Sequence, residues 1–230
     1  MPVSREEPRL GGELTTSRIE ALADGVFAVV MTLLVLDLKV PVVAGPDAAA
    51  ELPGKLFELW PRLLSFALSF VIAGVYWVGH HNQYHFIRRS DRVLLWINIL
   101  FLLCVAVIPF STALLGEYPQ QPIAVAIYGL NLILIGLVLY AHWWYATADY
   151  RLVDHDIDPH LVRVAKQRIL IAPIAYALAI LLSFVGTALS LTIYVLVPVL
   201  YIVPGAVDRH WHRRPVPPPA NAAAEITPPH

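Results

Sequence analysis

The sequence predicts an all-α integral membrane protein with six transmembrane helices, and three observations carry that reading. The 230 residues are 58% hydrophobic and only 14% charged, with a mean hydropathy of +0.65; a soluble domain carries roughly 25% charged residues. The apolar residues are gathered into long runs free of Asp, Glu, Lys and Arg: 25 residues from Leu63 to Ile87, 24 from Val93 to Gly116, 31 from Tyr118 to Ala148 and 39 from Ile169 to Val207. The positive charges alternate with these runs in the manner of a multi-span protein.

Each span follows from a length. Crossing a hydrocarbon core of ~30 Å takes about 20 helical residues. The run that starts at Ile169 would be about 58 Å long as one helix at ~1.5 Å per residue, so it folds back, with Gly186-Thr187 as the break between a fifth and a sixth span. The first span, Arg18 to Lys39, is interrupted by Glu20, Asp24 and Asp37. It lies too far along the chain and is too acidic for a signal peptide. Span two runs from about Trp60 to His81 and ends at the turn Arg88-Arg89-Ser90-Asp91-Arg92; span three covers about Leu94 to Leu115. Pro119 and Pro122 mark the turn into span four, and Trp143 and Trp144 sit where an interfacial aromatic belt is expected.

Six spans with the N-terminus inside place 13 of the 16 Lys and Arg residues in cytosolic segments and leave only Lys39, Lys55 and Arg62 outside. That asymmetry predicts both termini in the cytosol. The domain reading is a cytosolic arm at 1–17, a transmembrane domain at 18–208 and a disordered, Pro- and Ala-rich cytosolic tail at 209–230. The segment Pro41 to Glu58 reads as an outside loop, and 149–168 as the longest cytosolic connection. The net charge of −1 says little by itself, and the long apolar runs make this a membrane protein and not a nucleic-acid binder. Cys104 is the single cysteine, so disulfides play no part.

Two clusters resemble metal sites and fail as such. His81 and His85, four residues apart, share a helix face, but His142, His155 and His160 supply no second histidine box. Asp154, Asp156 and Asp158 begin like a calcium loop, yet Pro159 stands where glycine is required and Ala165 where a bidentate glutamate belongs. Asp158-Pro159 reads instead as an N-cap followed by proline in the first helical turn. No metal, cofactor or catalytic residue is expected, and the chain is read as no enzyme. A TVGYG-type potassium filter is absent from the sequence.

The first span is the informative segment, because carboxylates inside a membrane are costly and by default functional or paired. Asp24 lies six residues, about 9 Å, inward from Arg18. His81 precedes Arg88 by seven residues and Asn98 follows Arg92 by six. Counted this way the three polar groups share one depth, and a buried network of Asp24, His81 and Asn98 with Trp96 nearby is expected. At 100° per residue, Val29, Leu33 and Leu36 form a stripe about 60° wide, with Thr32 on its flank and Asp24 about 140° from Val29. Ordinary helix packing produces such a stripe as well.

Those residues resemble the single-repeat, prokaryotic branch of the transmembrane protein 175 family of potassium channels. The family's mark is R-x-x-x-F-S-D opening the first helix, then an apolar run, an acid and K-V-P. Arg18 and Asp24 match, Leu22 and Ala23 replace the Phe and Ser, and Phe27 to Leu36 (FAVVMTLLVL) with Asp37-Leu38-Lys39-Val40-Pro41 match closely. The similarity continues in Tyr76-Trp77-x-x-His80-His81, Trp96-x-Asn98 and Ile108-Pro109-Phe110-x-Thr112.

The resemblance implies a multi-pass protein of the cell membrane, assembled in the bilayer as a homotetramer whose four first helices line a central pore for potassium ions. It implies a leak-type, potassium-selective channel with a hydrophobic side-chain filter: Val29, Leu33 and Leu36 as three apolar layers, and Thr32 as a polar ring beside them. Arg18, Asp24, His81, Trp96 and Asn98 would form the inter-helix network. The alternative is a proton- or ion-coupled secondary transporter that uses Asp24 and the histidine group. Such a protein would need a midplane site at broken helices, and the chain has no matched pair of Gly/Pro interruptions.

Overall fold

The computed structural model describes residues 16–43 and 48–202. Its regular structure is helical apart from one isolated antiparallel bridge between Ile87 and Val153. In chain order the helices are α1 (Thr16–Leu33), α2 (Ala48–Glu58), α3 (Trp60–Phe86), α4 (Arg92–Ala106), α5 (Ile108–Glu117), α6 (Pro122–Thr147), α7 (Pro159–Ser183) and α8 (Thr187–Ile202). A 3-10 turn, Leu34–Asp37, extends α1, and another, Ala148–Tyr150, follows α6. The expected tail at 209–230 lies outside the described residues, as does all of the expected arm except Thr16 and Ser17, which already belong to α1.

Local chemistry sets the ends of these helices. The Asp91 side chain accepts from the Leu94 amide at 2.8 Å and caps α4. Asp158 caps α7 by accepting from the His160 amide at 2.8 Å, with Pro159 in the first turn, as the sequence predicts. Pro122 opens α6, and α7 ends at Ser183 three residues before the Gly186 break. The third span is interrupted at Val107, between α4 and α5. Pro109 has no amide hydrogen for the carbonyl of Val105, so the helix cannot run through unbroken.

The segment Pro41 to Glu58, expected as a loop, instead holds α2. Its Ala48-Ala49-Ala50-Glu51 start consists of strong helix formers, and these outweigh Pro53 inside the helix. Among the described residues, five segments have the length and apolarity to cross a membrane: Thr16–Asp37, Trp60–Phe86, Arg92–Glu117, Pro122–Tyr150 and Pro159–Ser183. The segment expected as the sixth span is the shorter apolar helix Thr187–Ile202, which ends where the described residues end.

The core centres on α6, whose Tyr128, Leu132 and Ile135 are fully buried. With no hydrophobic effect to drive helices together in lipid, close approach and internal hydrogen bonds hold the bundle. A Cβ on Gly136 would lie 2.7 Å from Pro173 Cγ of α7, and one on Gly129 only 2.0 Å from the Tyr194 hydroxyl of α8. Both glycines are therefore needed for contact. Polar side chains inside the bundle satisfy one another. Tyr76 donates to the Leu132 carbonyl at 2.7 Å, Thr112 donates to Ser69 Oγ at 2.8 Å, and Ser69 pairs with the Tyr128 hydroxyl at 2.9 Å.

Candidate functional site: the first helix and its polar neighbours

Helix α1 has two faces of different fate. Ile19, Ala23, Phe27, Val30 and Leu34 recur at helical spacing and are buried against the bundle, with the Phe27 and Phe101 rings 5.9 Å apart. The other face is left uncovered by the subunit. Val29 is 56% exposed, Leu33 42% and Leu36 69%, and Thr32 and Leu22 are exposed beside them. Thr32 Oγ1 bonds back to its own helix, donating to the carbonyls of Ala28 and Val29 at 2.9 and 2.8 Å.

α1 runs antiparallel to α3, and two contacts fix the register. The Trp77 indole N–H donates to Asp24 Oδ1 at 2.8 Å. One turn nearer the Arg18 end, His81 Nδ1 lies 4.0 Å from Glu20 Oε2, and its ring stacks on Trp77 at 5.8 Å. The shared network expected for Asp24, His81 and Asn98 is therefore divided. Asn98 is buried and pairs through Oδ1 with His80 Nε2 at 2.8 Å, whereas His81 lies on the exposed side of α3. Trp96, expected nearby, is 61% exposed, and Arg18 is exposed at the start of α1. Asp24 and His81 lie one turn apart because Arg18 and Arg88, from which their depths are counted, are not level: Glu20, two residues from Arg18, faces His81, seven residues from Arg88.

Sequence reasoning missed the group at the heart of this end of the bundle. His80 is 2% exposed and lies flat against Phe101, with centroids 5.0 Å apart and 3° between planes. His142 Nδ1 bonds Gln83 Oε1 at 2.7 Å, its Nε2 faces the Tyr84 hydroxyl at 3.1 Å, and Gln83 Nε2 donates to the Leu139 carbonyl at 3.1 Å. A usable signal existed. Ser69, Ile72, Tyr76, His80 and Gln83 form the buried face of α3 at spacings of three and four, which puts His80 inside and His81 out. His85 is also exposed, and among the described residues no three His, Cys, Asp or Glu side chains converge as a metal site.

The basic residues sort to the two ends of the bundle. Arg88 pairs with Asp154 at 3.4 Å, and the Ile87–Val153 bridge ties the two turns at that end together. At the opposite end Arg62 pairs with Glu117, and Lys55 with Glu58 at 3.3 Å.

An all-helical protein with several membrane-spanning segments, a paired intramembrane acid and a first helix with one uncovered face is the class that these features define. Residues 18–109 match the family described as the endosomal/lysosomal potassium channel TMEM175. A potassium channel of Streptomyces collinus is 35% identical over 190 residues, covering 81% of this chain and 91% of the relative. One of Chamaesiphon minutus is 38% identical over 178 residues, covering 76% and 87%. The crystal structure of a lysosomal potassium-selective channel TMEM175 homologue from Chamaesiphon minutus superposes with a TM-score of 0.72 at 34% identity, covering 82% of this chain and 96% of that one. The chain belongs to the TMEM175 family.

Proposed function

We propose that this chain is the subunit of a potassium channel of the cell membrane, in which four copies bring their α1 helices together around a central pore. The observation that carries this reading is the uncovered face of α1. Val29, Leu33 and Leu36 stand out from the subunit at helical spacing while Phe27, Val30 and Leu34 anchor the same helix from behind. One helix cannot enclose a pore, and a closed ring of equivalent stripes can. The relatives' description as potassium channels supports the same assignment.

In this arrangement Leu36, Leu33 and Val29 form successive apolar rings. A narrow apolar ring expels water, so a hydrated cation meets a barrier there. Potassium sheds hydration water at lower cost than sodium, which favours its passage. Thr32 adds a polar element: with its hydroxyl hydrogen turned toward the Ala28 and Val29 carbonyls, its oxygen lone pairs are left to face an ion. The Trp77–Asp24 bond fixes the rotation of α1 against α3 and so aims the stripe. In the full reading α8 is the sixth span, and both termini lie in the cytosol beside the richly basic end of the bundle.

The test is ion flux from proteoliposomes. Potassium efflux down its own gradient, with no gradient of protons or sodium, is the expected result. Transport that requires such a coupled gradient would assign the chain to the transporters.

A further inference from the structure

Among the described residues, every member of α2 from Ala49 to Glu58 is exposed. A helix of 11 residues standing in water is marginal, and the Pro53 and Gly54 inside this one weaken it further. Its side chains are nonetheless sorted by chemistry. At 100° per residue, Glu51, Lys55 and Glu58 fall within about 60° of one another. Leu52, Leu56 and Trp60 fall within about 80°, centred about 130° from that charged face, and Phe57 widens the apolar side. Leu52 is 41% exposed, Leu56 49%, Phe57 80% and Trp60 60%.

The charged face is turned to the subunit. Lys55 and Glu58 line a cleft with Lys39, Arg62 and Glu117, so the apolar face points away from the bundle. The backbone stays helical from α2 into α3. Leu59 lies in the right-handed region, its amide donates to the Leu56 carbonyl at 3.2 Å, and its carbonyl accepts from the Leu63 amide at 3.0 Å. The row Leu52, Leu56 and Trp60 therefore runs on in phase along the uncovered side of α3, through Leu63, Ala67, Phe70 and Val78. Measured along the helix from Leu52 to Val78 it spans about 39 Å at ~1.5 Å per residue, against ~40–45 Å for a bilayer with its head-group regions. Since α3 is one of the segments able to cross a membrane, the α2 part of the row falls at the membrane surface.

We propose that α2 is an interfacial helix, with Leu52, Leu56, Phe57 and Trp60 seated among the head groups and upper acyl carbons of the leaflet at the Arg62 end. Interfacial helices carry this division into a charged and an apolar side, and tryptophan is favoured at that depth. The occupant of the face is lipid because the same row continues, without a change of phase, onto a spanning helix. Glu51 and Glu58 against Lys55 on the charged side give the helix no attraction for anionic head groups, so apolar burial holds it in place. The placement stands apart from the pore, and its test reads no ion flux.

The test is fluorescence quenching of the full-length protein in phosphatidylcholine vesicles. In a Cys104→Ser background, a small fluorophore is attached in turn to Glu51→Cys, Leu52→Cys, Lys55→Cys and Leu56→Cys, all at exposed positions whose replacement leaves the bundle intact. One quencher is a nitroxide carried high on the lipid acyl chain, and the other is iodide on both sides of the vesicle. Labels on Leu52→Cys and Leu56→Cys should lose most of their fluorescence to the nitroxide and little to iodide, with the reverse for Glu51→Cys and Lys55→Cys. Equal quenching by iodide at all four positions would place α2 in water and overturn the proposal. Equal quenching by the nitroxide at all four would overturn it too, since α2 would then have no lipid-facing side. Protection of Leu52→Cys and Leu56→Cys from both quenchers would also overturn it, giving the face to a second copy of the chain.

Discussion

Leu33 and Leu34 are neighbours in sequence with opposite surroundings, and replacing each by alanine separates a filter from a packing element. Leu34 is 2% exposed and belongs to the core cluster with Phe27 and Val30, whereas Leu33 is 42% exposed on the uncovered face. Truncating Leu34 leaves a cavity and should cost about 2–3 kcal/mol per subunit. Truncating Leu33 costs little packing within the subunit. It withdraws two carbon positions, about 2.5 Å of reach at ~1.5 Å per bond. Across a ring of four the opening widens by about 5 Å, more than the ~2.8 Å diameter of a water molecule. The ring then rewets, conductance rises, and the potassium-to-sodium permeability ratio falls toward one. Bi-ionic reversal potentials in planar bilayers measure the ratio, and melting in detergent measures stability. Leu34→Ala should lower the melting temperature with its permeability ratio intact. If the two variants permeate alike, or if Leu33→Ala keeps its selectivity, the exposed stripe is not the filter.

Three further expectations follow from the contacts around α1 and α6. Asn98→Leu leaves buried His80 without its partner and should cost about 1–3 kcal/mol, while His81→Ala, on the exposed side of α3, should change stability by less than about 0.5 kcal/mol; equal thermal shifts would refute this division of the histidines. Trp77→Phe removes the donor to Asp24, and by loosening the aim of α1 it should reduce the fraction of protein recovered as tetramer by size-exclusion chromatography, with Asp24→Asn weaker in the same direction. Gly129→Ala places a methyl group against Tyr194 and Ile180 and should lower the melting temperature, whereas Gly74→Ala, with open space around it, should raise it slightly through helix propensity.

The first five spans are legible because the membrane imposes a length and an apolarity that few other structures satisfy, and the ends at Pro122, Asp158 and Gly186 follow from capping chemistry and breakers. On α1 the stripe Val29, Leu33 and Leu36 is legible from its spacing, whereas the buried face of Phe27, Val30 and Leu34, about 100–160° round the helix, is seen only in the structure. The register between helices is not legible. Placing Asp24 level with His81 takes Arg18 and Arg88 as equally deep, and the one-turn offset between the two counts gives the acid to Trp77 instead. The assignment of Asn98 to His81 failed for a related reason: charge positions give depth, but only the buried period of α3 says that His80 points inward. Helix α2 was hidden by Pro53, a residue that reads as loop and here sits inside a helix begun by three alanines.

A thiol placed on the uncovered face of α1 reports whether that face borders the ion path. In a Cys104→Ser background, Leu36→Cys places a thiol on the most exposed member of the stripe, and Val30→Cys places one on the buried face. Potassium efflux from proteoliposomes is recorded before and after a membrane-impermeant thiol reagent, with labelling verified by intact mass. Labelled Leu36→Cys should lose most of its flux, while Val30→Cys and the cysteine-free parent keep theirs. Leu36→Cys protein that carries the label and conducts as before would contradict it.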